Sequence, residues 1–199
     1  MTRAPSAPLA ILDLGYGNTD SIRLAFARLG VEAALVSDPA AAEAAERLIL
    51  PGVGAAGYAM HKLREAGLVD PLKRRTKPLL GICLGMQMLF ETSDEGDTPL
   101  LGLIPARVRA LEPAPGQPVP HMGWTQIDDA SPGIGLAAGD YVYFAHSFAC
   151  DDGPATAARV TYGRPIPAAI RHANLWGAQF HPERSSAAGA SFLKAFLSA

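Results

Sequence analysis

Short apolar segments alternate with amphipathic helical patterns along residues 9–90. The apolar segments lie at residues 9–14, 31–36, 47–50 and 78–82, and each has the length of a buried strand. Strands that alternate with helices in this way usually pair in parallel, so the pattern predicts an α/β fold. We expect a three-layer architecture, in which an open, mainly parallel sheet is flanked by helices on both faces.

The predicted helices occupy the intervals between these strands. Asn18 is a good N-cap for the first helix, and Gly30 ends it. The second covers residues 38–45, the third covers residues 57–68, and a fourth follows the last strand and runs through Phe90. Each helix would return the chain to the start of a neighbouring parallel strand.

The pattern changes after residue 100, where Pro and Gly become frequent. Residues 106–111, 141–148 and 157–162 alternate as antiparallel strands do, which predicts an antiparallel β extension of the core in the second half. Residues 175–180 indicate a last buried strand before a closing helix. A chain of 199 residues has the size of one domain, and we expect a single domain over residues 1–199.

Charge and cysteine content exclude several classes of function. The formal net charge is −2 with no basic stripe, which argues against a nucleic-acid partner. No apolar run is long enough to span a membrane, and residues 1–8 do not resemble a signal peptide. Two cysteines, Cys83 and Cys150, suit a reducing cytoplasm. No grouping has metal-ligand spacing and there is no P-loop, so neither a metal nor a cofactor is expected.

The strongest chemical signal is the sequence Gly-Ile-Cys-Leu-Gly at residues 81–85, where an apolar strand passes directly into a helix. Glycines two residues to either side of Cys83 permit the sharp turn of a nucleophile elbow. A thiol at a helix N-terminus also favours the reactive thiolate. A buried structural cysteine is the alternative, but it would not need paired glycines.

A nucleophilic cysteine needs a base, and the segment Phe-His-Pro-Glu at residues 180–183 offers one. On an extended segment, His181 and Glu183 would share a face, so that Glu183 could orient the His181 ring. The pair follows a predicted strand, and open α/β sheets place their sites at the carboxyl ends of strands. Alone, the segment could equally be a surface histidine beside a chance glutamate.

The third element is the turn Pro-Gly-Val-Gly at residues 51–54, which could present backbone N–H groups to an oxyanion. Gly52, Gly54 and Gly57 also fit a dinucleotide-binding fingerprint, which leaves a nicotinamide-binding module as an alternative of another class. Against that alternative, the next strand ends at Cys83 and not at an acidic residue.

Together, the Gly-rich turn, the elbow and the late His-Pro-Glu resemble the triad-type, class I glutamine amidotransferases over nearly the whole chain. Within them, four further segments resemble the glutaminase subunits of imidazole glycerol phosphate synthase. These are residues 13–18, His-Met-Gly-Trp at residues 121–124, residues 143–148 and residues 179–185.

That resemblance implies a heterodimer with a (β/α)8-barrel cyclase subunit in histidine biosynthesis. Glutamine hydrolysis would supply ammonia to the cyclase, which makes imidazole glycerol phosphate and aminoimidazole carboxamide ribotide. Carried over by position, the resemblance implies a glutamyl thioester on Cys83, proton transfer by His181 and orientation of His181 by Glu183. It further implies an oxyanion hole at Val53 and Leu84, glutamine contacts at Gly52, Gln87, Ser147 and Phe148, and partner contacts at Trp124, Tyr143 and Arg184.

The sequence departs from the family pattern at three positions. Thr125 stands where Asn is usual, Leu14 where Tyr is usual, and Arg184 where Lys is commoner. Thr125 and Arg184 fall near the implied interface, so these two departures concern coupling to the partner. A triad glutaminase of another synthase, for pyridoxal phosphate or anthranilate, is the nearest alternative, and His-Met-Gly-Trp argues against it.

Overall fold

The computed structural model describes residues 8–15 and 17–199. Residues 1–7, which lack signal-peptide features, and Tyr16, which belongs to the family segment at residues 13–18, lie outside the described residues. The strands are β1 Leu9–Leu12, β2 Ala34–Val36, β3 Arg47–Leu50, β4 Leu79–Ile82, β5 Phe90–Ser93, β6 Thr98–Pro99, β7 Ile104–Ala110, β8 His121–Gln126, β9 Asp129–Ala130, β10 Tyr141–His146, β11 Phe148–Cys150, β12 Thr156–Tyr162, β13 Arg164–His172 and β14 Leu175–Ala178. The helices are α1 Thr19–Arg28, α2 Pro39–Ala44, α3 Ala56–Glu65, α4 Val69–Arg74, α5 Leu84–Gln87 and α6 Ser186–Leu197.

Within the described residues, eight strands form the main sheet in the order β2-β1-β3-β4-β14-β13-β12-β9. The strands from β2 to β14 pair in parallel, and β13, β12 and β9 add antiparallel pairs at the far side. The carboxyl ends of β3, β4 and β14 therefore lie at one edge. This is the predicted mainly parallel sheet with its antiparallel extension.

Each face of the sheet carries its own apolar core. Strand β1 shows the division, since Leu9 and Ile11 pack on one side while Ala10 and Leu12 pack on the other. Helices α1 and α6 cover the first side, and α2, α3 and α4 cover the second. The alternation follows from the two-residue period of strands and confirms the predicted three layers.

Two smaller sheets complete the second half. Strands β8 and β10 form an antiparallel ribbon in which Trp124 pairs with Tyr143. Strand β7 pairs with β11 in antiparallel and with β5 in parallel, in the order β11-β7-β5-β6. None of the helices in the described part of the chain is long and apolar enough to cross a membrane.

Several predicted boundaries were wrong. The helix predicted through Phe90 ends at Gln87, and Phe90 begins β5. Phe90 does not continue the helix because its carbonyl accepts a hydrogen bond from the Gly102 amide, at 2.7 Å, where the chain comes back alongside β5. The helix predicted over residues 57–68 ends at Glu65, since Gly67 adopts a φ of 66°. The separate helix α4 after it was not predicted.

Candidate active site

Cys83 occupies a strained turn between β4 and α5. Its φ of 54° and ψ of −114° place it where side chains rarely lie. The Cys83 amide donates to the Ala178 carbonyl at 2.7 Å, and the Cys83 carbonyl accepts from the Gln87 amide at 3.2 Å. Such strain costs about 1–3 kcal/mol and persists because surrounding bonds hold it. The geometry is that of the predicted elbow.

The two flanking glycines are required by close backbone packing. A Cβ on Gly81 would overlap the carbonyl of Gly85, and a Cβ on Gly85 would overlap the carbonyl of Leu50 at the end of β3. A Cβ on Gly52 would lie 2.6 Å from the Gly85 amide nitrogen. The elbow and the Gly-rich turn therefore touch backbone to backbone, which only glycine allows.

His181 and Glu183 lie at the same edge of the sheet as Cys83, because Ala178 of β14 pairs with Ile82 of β4. The His181 Nδ1 atom lies 2.8 Å from Glu183 Oε1, and the Glu183 side chain is only 2% exposed. The segment Pro182–Arg184 is a 3-10 turn, so the expectation of an extended segment was wrong. Pro182 fits the first position of that turn, and the turn brings the two side chains together.

The backbone of His181 is anchored to β10 and to a buried serine. Its amide donates to the Tyr143 carbonyl at 2.9 Å. The Ser185 hydroxyl donates to the His181 carbonyl at 2.7 Å and accepts from the Tyr143 amide at 2.9 Å. Since Ser185 is fully buried, these bonds fix where the imidazole ring emerges.

The hydrogen bonds of His181 define its chemical state. Glu183 is acceptor-only when ionised, so Nδ1 of His181 carries the proton and Nε2 serves Cys83. Burial disfavours the imidazolium, but hydrogen bonds to Cys83 and Glu183 outweigh it and raise the pKa of His181 to about 10. Among the described residues, Glu183 Oε2 has no hydrogen-bond partner. The raised pKa keeps the His181 ring positively charged near neutral pH, next to Cys83.

Cys83 opens into a cleft of about 510 Å³, a size typical of small-ligand sites. The cleft brings together most residues that the sequence suggested for catalysis and for glutamine. Its lining residues are Asn18, Val53, Gly54, Cys83, Leu84, Gln87, Glu95, Pro120, Met122, Ala145, His146, Ser147, Phe148, His181, Glu183 and Arg184. Gly52 does not line the cleft. It is buried against Leu84 and Gly85, next to Val53, which does line it.

Gln87 and Gln179 form a buried amide pair beneath Cys83. Gln87 Nε2 donates to the Phe148 carbonyl at 2.7 Å and to Gln179 Oε1 at 2.9 Å. Gln179 Nε2 in turn lies 3.9 Å from Cys83 Sγ, within reach of a hydrogen bond to sulfur. Both N–H groups of Gln87 are therefore used, and its Oε1 is the atom left to accept from a ligand.

Sequence reasoning missed Glu95 and Gln179. Glu95 lines the cleft, and its Oε2 accepts from the Ala56 amide at the start of α3 at 2.7 Å. Its sequence context, a short acidic run after β5, resembles any solvated loop. Gln179 is fully buried, and its place immediately after β14 was the signal that could have found it.

The three predicted partner contacts lie together beside the cleft. Trp124 and Tyr143 meet edge to face with centroids 6.0 Å apart, and the Arg184 guanidinium lies 4.1 Å from the Tyr143 ring centroid. Met122 and Tyr141 extend the same ribbon and are largely exposed. We call these five residues the aromatic patch. Exposed aromatic and Arg side chains of this kind are enriched at protein interfaces.

Comparison with known proteins assigns the chain to a class. The model of the glutamine amidotransferase class-I family matches residues 10–199. The chain therefore belongs to the class-I glutamine amidotransferase family. Two similar solved structures are a crystal structure of a glutamine amidotransferase and the structure of PurLQS from Thermotoga maritima. The first has a TM-score of 0.76 at 23% identity and covers 96% of this chain and 97% of that chain. The second has a TM-score of 0.69 at 19% identity and covers 96% of this chain and 98% of that chain.

Sequence relatives narrow the assignment within that class. The chain is 49% identical to a protein of Xylella fastidiosa (strain Temecula1) named imidazole glycerol phosphate synthase subunit HisH, over 95% of this chain and 96% of the relative. It is 47% identical, with the same coverage, to the protein of that name from Xanthomonas axonopodis pv. citri. Within the class, the chain falls in the family of the HisH subunit.

Proposed function

We propose that the chain hydrolyses L-glutamine to L-glutamate and ammonia as the glutaminase subunit of imidazole glycerol phosphate synthase in histidine biosynthesis. The observation that carries the proposal is the placement of Cys83 on a strained elbow beside His181, with Glu183 bonded to the far side of the ring. A cysteine, a base and an orienting carboxylate are the three parts of nucleophilic acyl transfer.

In the first half-reaction, the Cys83 thiolate attacks the carboxamide carbon of glutamine. The carbonyl electrons move to oxygen, and the backbone N–H groups of Val53 and Leu84 stabilise that oxyanion. The imidazolium of His181 then gives its Nε2 proton to the amide nitrogen. Ammonia leaves as the carbonyl re-forms, and a glutamyl thioester remains on Cys83.

In the second half-reaction, water attacks the thioester carbon. His181, now neutral, takes a proton from this water through Nε2, while Glu183 stabilises the developing positive charge on the ring. The C–S bond breaks, glutamate is released, and the thiolate–imidazolium pair is restored. No cofactor or metal is needed, because every proton and electron pair is exchanged among glutamine, water and these side chains.

Glutamine recognition draws on charge and on backbone groups of the cleft. Glu95 supplies a carboxylate for the α-ammonium group, and Gln87 Oε1 adds a second acceptor. Ser147 and Phe148 contribute the turn between β10 and β11, and Gly52 supports the wall by holding Val53 in place. A primary amide reacts because only its nitrogen can leave as ammonia.

The partner in this proposal is the cyclase subunit, a (β/α)8 barrel that docks on the aromatic patch to form a heterodimer. Trp124, Tyr143 and Arg184 sit beside the mouth of the cleft, so ammonia would be released towards the docked barrel. We place the enzyme in the cytoplasm, which two unpaired cysteines suit.

The test is glutamate release from glutamine by the purified chain, alone and mixed with the cyclase in the presence of the cyclase ligand. We expect release that depends on the partner and vanishes in Cys83→Ala. Cys150→Ala is the matched control, because Cys150 is fully buried in the second core and lies outside the cleft. Activity that needs Cys83 but ignores this cyclase would redirect the search to the synthases for pyridoxal phosphate or anthranilate.

A further inference from the structure

A continuous network of hydrogen bonds runs from the exposed ribbon to the nucleophile. It starts at Thr125 on β8, crosses the buried rings of His121 and His146, and ends at Cys83. Three links involve the histidines: Thr125 Oγ1 to His121 Nε2 at 2.7 Å, His121 Nδ1 to His146 Nε2 at 3.1 Å, and His146 Nδ1 to the Phe148 carbonyl at 2.8 Å. Three more continue to the thiol: Gln87 Nε2 to the same carbonyl at 2.7 Å, Gln87 Nε2 to Gln179 Oε1 at 2.9 Å, and Gln179 Nε2 to Cys83 Sγ at 3.9 Å.

The Phe148 carbonyl determines which atom donates and which accepts in each hydrogen bond between it and β8. The Phe148 carbonyl cannot donate, so Nδ1 of His146 must carry the proton. A neutral His146 then has a bare Nε2, which must accept from Nδ1 of His121. Nε2 of His121 is bare for the same reason and accepts from the Thr125 hydroxyl. The two rings thus have a single tautomer each.

Both rings are held neutral and rigid. Burial lowers the pKa of His121 to about 4 and that of His146 to about 3, and the nearby His181 adds to the effect on His146. The His121 ring is stacked between Phe144, at 4.6 Å between centroids, and Tyr162, at 3.8 Å. Neither ring can turn or take up a proton near neutral pH, so neither competes with His181 as a base.

His146 acts at the point where the cleft wall bends. It ends β10, Ser147 forms the bend, and Phe148 begins β11. The proton on its Nδ1 ties the Phe148 carbonyl back across this bend, and the same carbonyl holds the amide of Gln87. The orientation of Gln87, with Oε1 left for a ligand, therefore depends on where His146 holds that carbonyl.

We propose that His146 is a positioning residue for glutamine, which acts through the Phe148 carbonyl on Gln87, and that His121 and Thr125 supply the donors that complete the hydrogen bonds of the required tautomer. The role in glutamine binding rests on the proposed function. It also accounts for the departure at residue 125, because the hydroxyl of Thr125 donates as the side-chain amide of the usual Asn could.

Two variants separate the donated proton from the volume of the ring. His146→Leu removes the donor, whereas the side-chain amide of His146→Asn can still donate from the position of Nδ1. In the complex with the cyclase and its ligand, we expect His146→Leu to raise the KM for glutamine roughly fivefold to thirtyfold and to change kcat less than about threefold. His146→Asn should stay within about threefold of the wild-type KM.

An unchanged KM in a folded His146→Leu variant would overturn the proposal. So would a KM in His146→Asn as high as in His146→Leu. If the leucine variant does not fold, the asparagine variant and the tautomer decide: nitrogen-15 NMR of the wild-type chain should show His146 protonated at Nδ1 and bare at Nε2, and the opposite tautomer refutes the network. Absence of wild-type glutamate release would sink the proposed function, and with it the role in glutamine binding, while the NMR result would still judge the hydrogen bonds.

Discussion

Glu183 Oε1 accepts a hydrogen bond from His181 Nδ1 at 2.8 Å, although the two residues are separated only by Pro182. A proline between them shapes a 3-10 turn, and the turn directs both side chains to the same point. The bond leaves Nε2 of His181 for Cys83. The Glu183 carboxylate is nearly buried, so water cannot replace the hydrogen bond to His181 if that bond is lost.

We expect Glu183→Gln to lower kcat roughly 10²–10⁴-fold with a much smaller change in KM, because an amide can hold His181 in the wrong tautomer. Steady-state glutamate release in the presence of the cyclase measures this. Glu91→Gln is the control, since Glu91 is an exposed glutamate on β5. A kcat for Glu183→Gln within tenfold of wild type would contradict the orienting role.

Gly85→Ala should destabilise the fold by about 3 kcal/mol or more, because its methyl group would overlap the Leu50 carbonyl where two backbones touch. Urea unfolding followed by circular dichroism gives the change. Gly153→Ala is a matched control: its Cβ would meet open space. Equal unfolding midpoints for the two variants would mean that the close approach does not constrain the elbow.

Acid should weaken the fold through the buried histidines. His146 has a folded-state pKa of about 3 and an ordinary value of 6.5, so the unfolded chain binds a proton there that the folded chain refuses. The contribution of His146 to the free energy of unfolding is therefore fully present above about pH 6.5 and is lost as the pH drops towards 3.

The free energy of unfolding should be measured against pH between pH 4.5 and 6. We expect it to rise with pH more steeply in the wild type than in His146→Asn, by about 1.4 kcal/mol per pH unit. Parallel curves for wild type and His146→Asn would show that His146 titrates normally in the folded protein.

Trp124→Ala should weaken assembly with the cyclase roughly tenfold to thirtyfold, since exposed Trp residues commonly dominate binding at an interface. The Trp124 side chain is 51% exposed beside Tyr143, so its removal should leave the fold stable. Titration calorimetry gives the affinity. Leu35→Ala removes an exposed apolar side chain from β2, an edge strand of the main sheet that does not belong to the β8–β10 ribbon, and should not change the affinity. Equal affinities for the two variants would remove the aromatic patch from the interface.

Local sequence patterns predicted much of the fold and the elbow, because strand period, helix caps and glycine spacing act over a few residues. Strand β3 was predicted with its bounds, and Asn18 caps α1 as expected. The prediction that the helix runs through Phe90 was wrong because the Phe90 backbone pairs with Gly102, a tertiary contact that helical periodicity does not encode. The pairing of His121 with His146 could not be predicted from the sequence, since it depends on the register of β8 against β10.

The position of β14 links the proposed catalytic residues to the interior of the main sheet. This strand is contributed late in the sequence, yet it lies in the interior of the sheet, between β4 and β13. The segment that follows it carries His181 and Glu183, the proposed base and its orienting carboxylate. Without β14 in its place in the sheet, Cys83 would lack both the Ala178 carbonyl that holds its amide and the neighbouring His181. In the proposed reaction, the sheet must therefore be complete before glutamine can be hydrolysed.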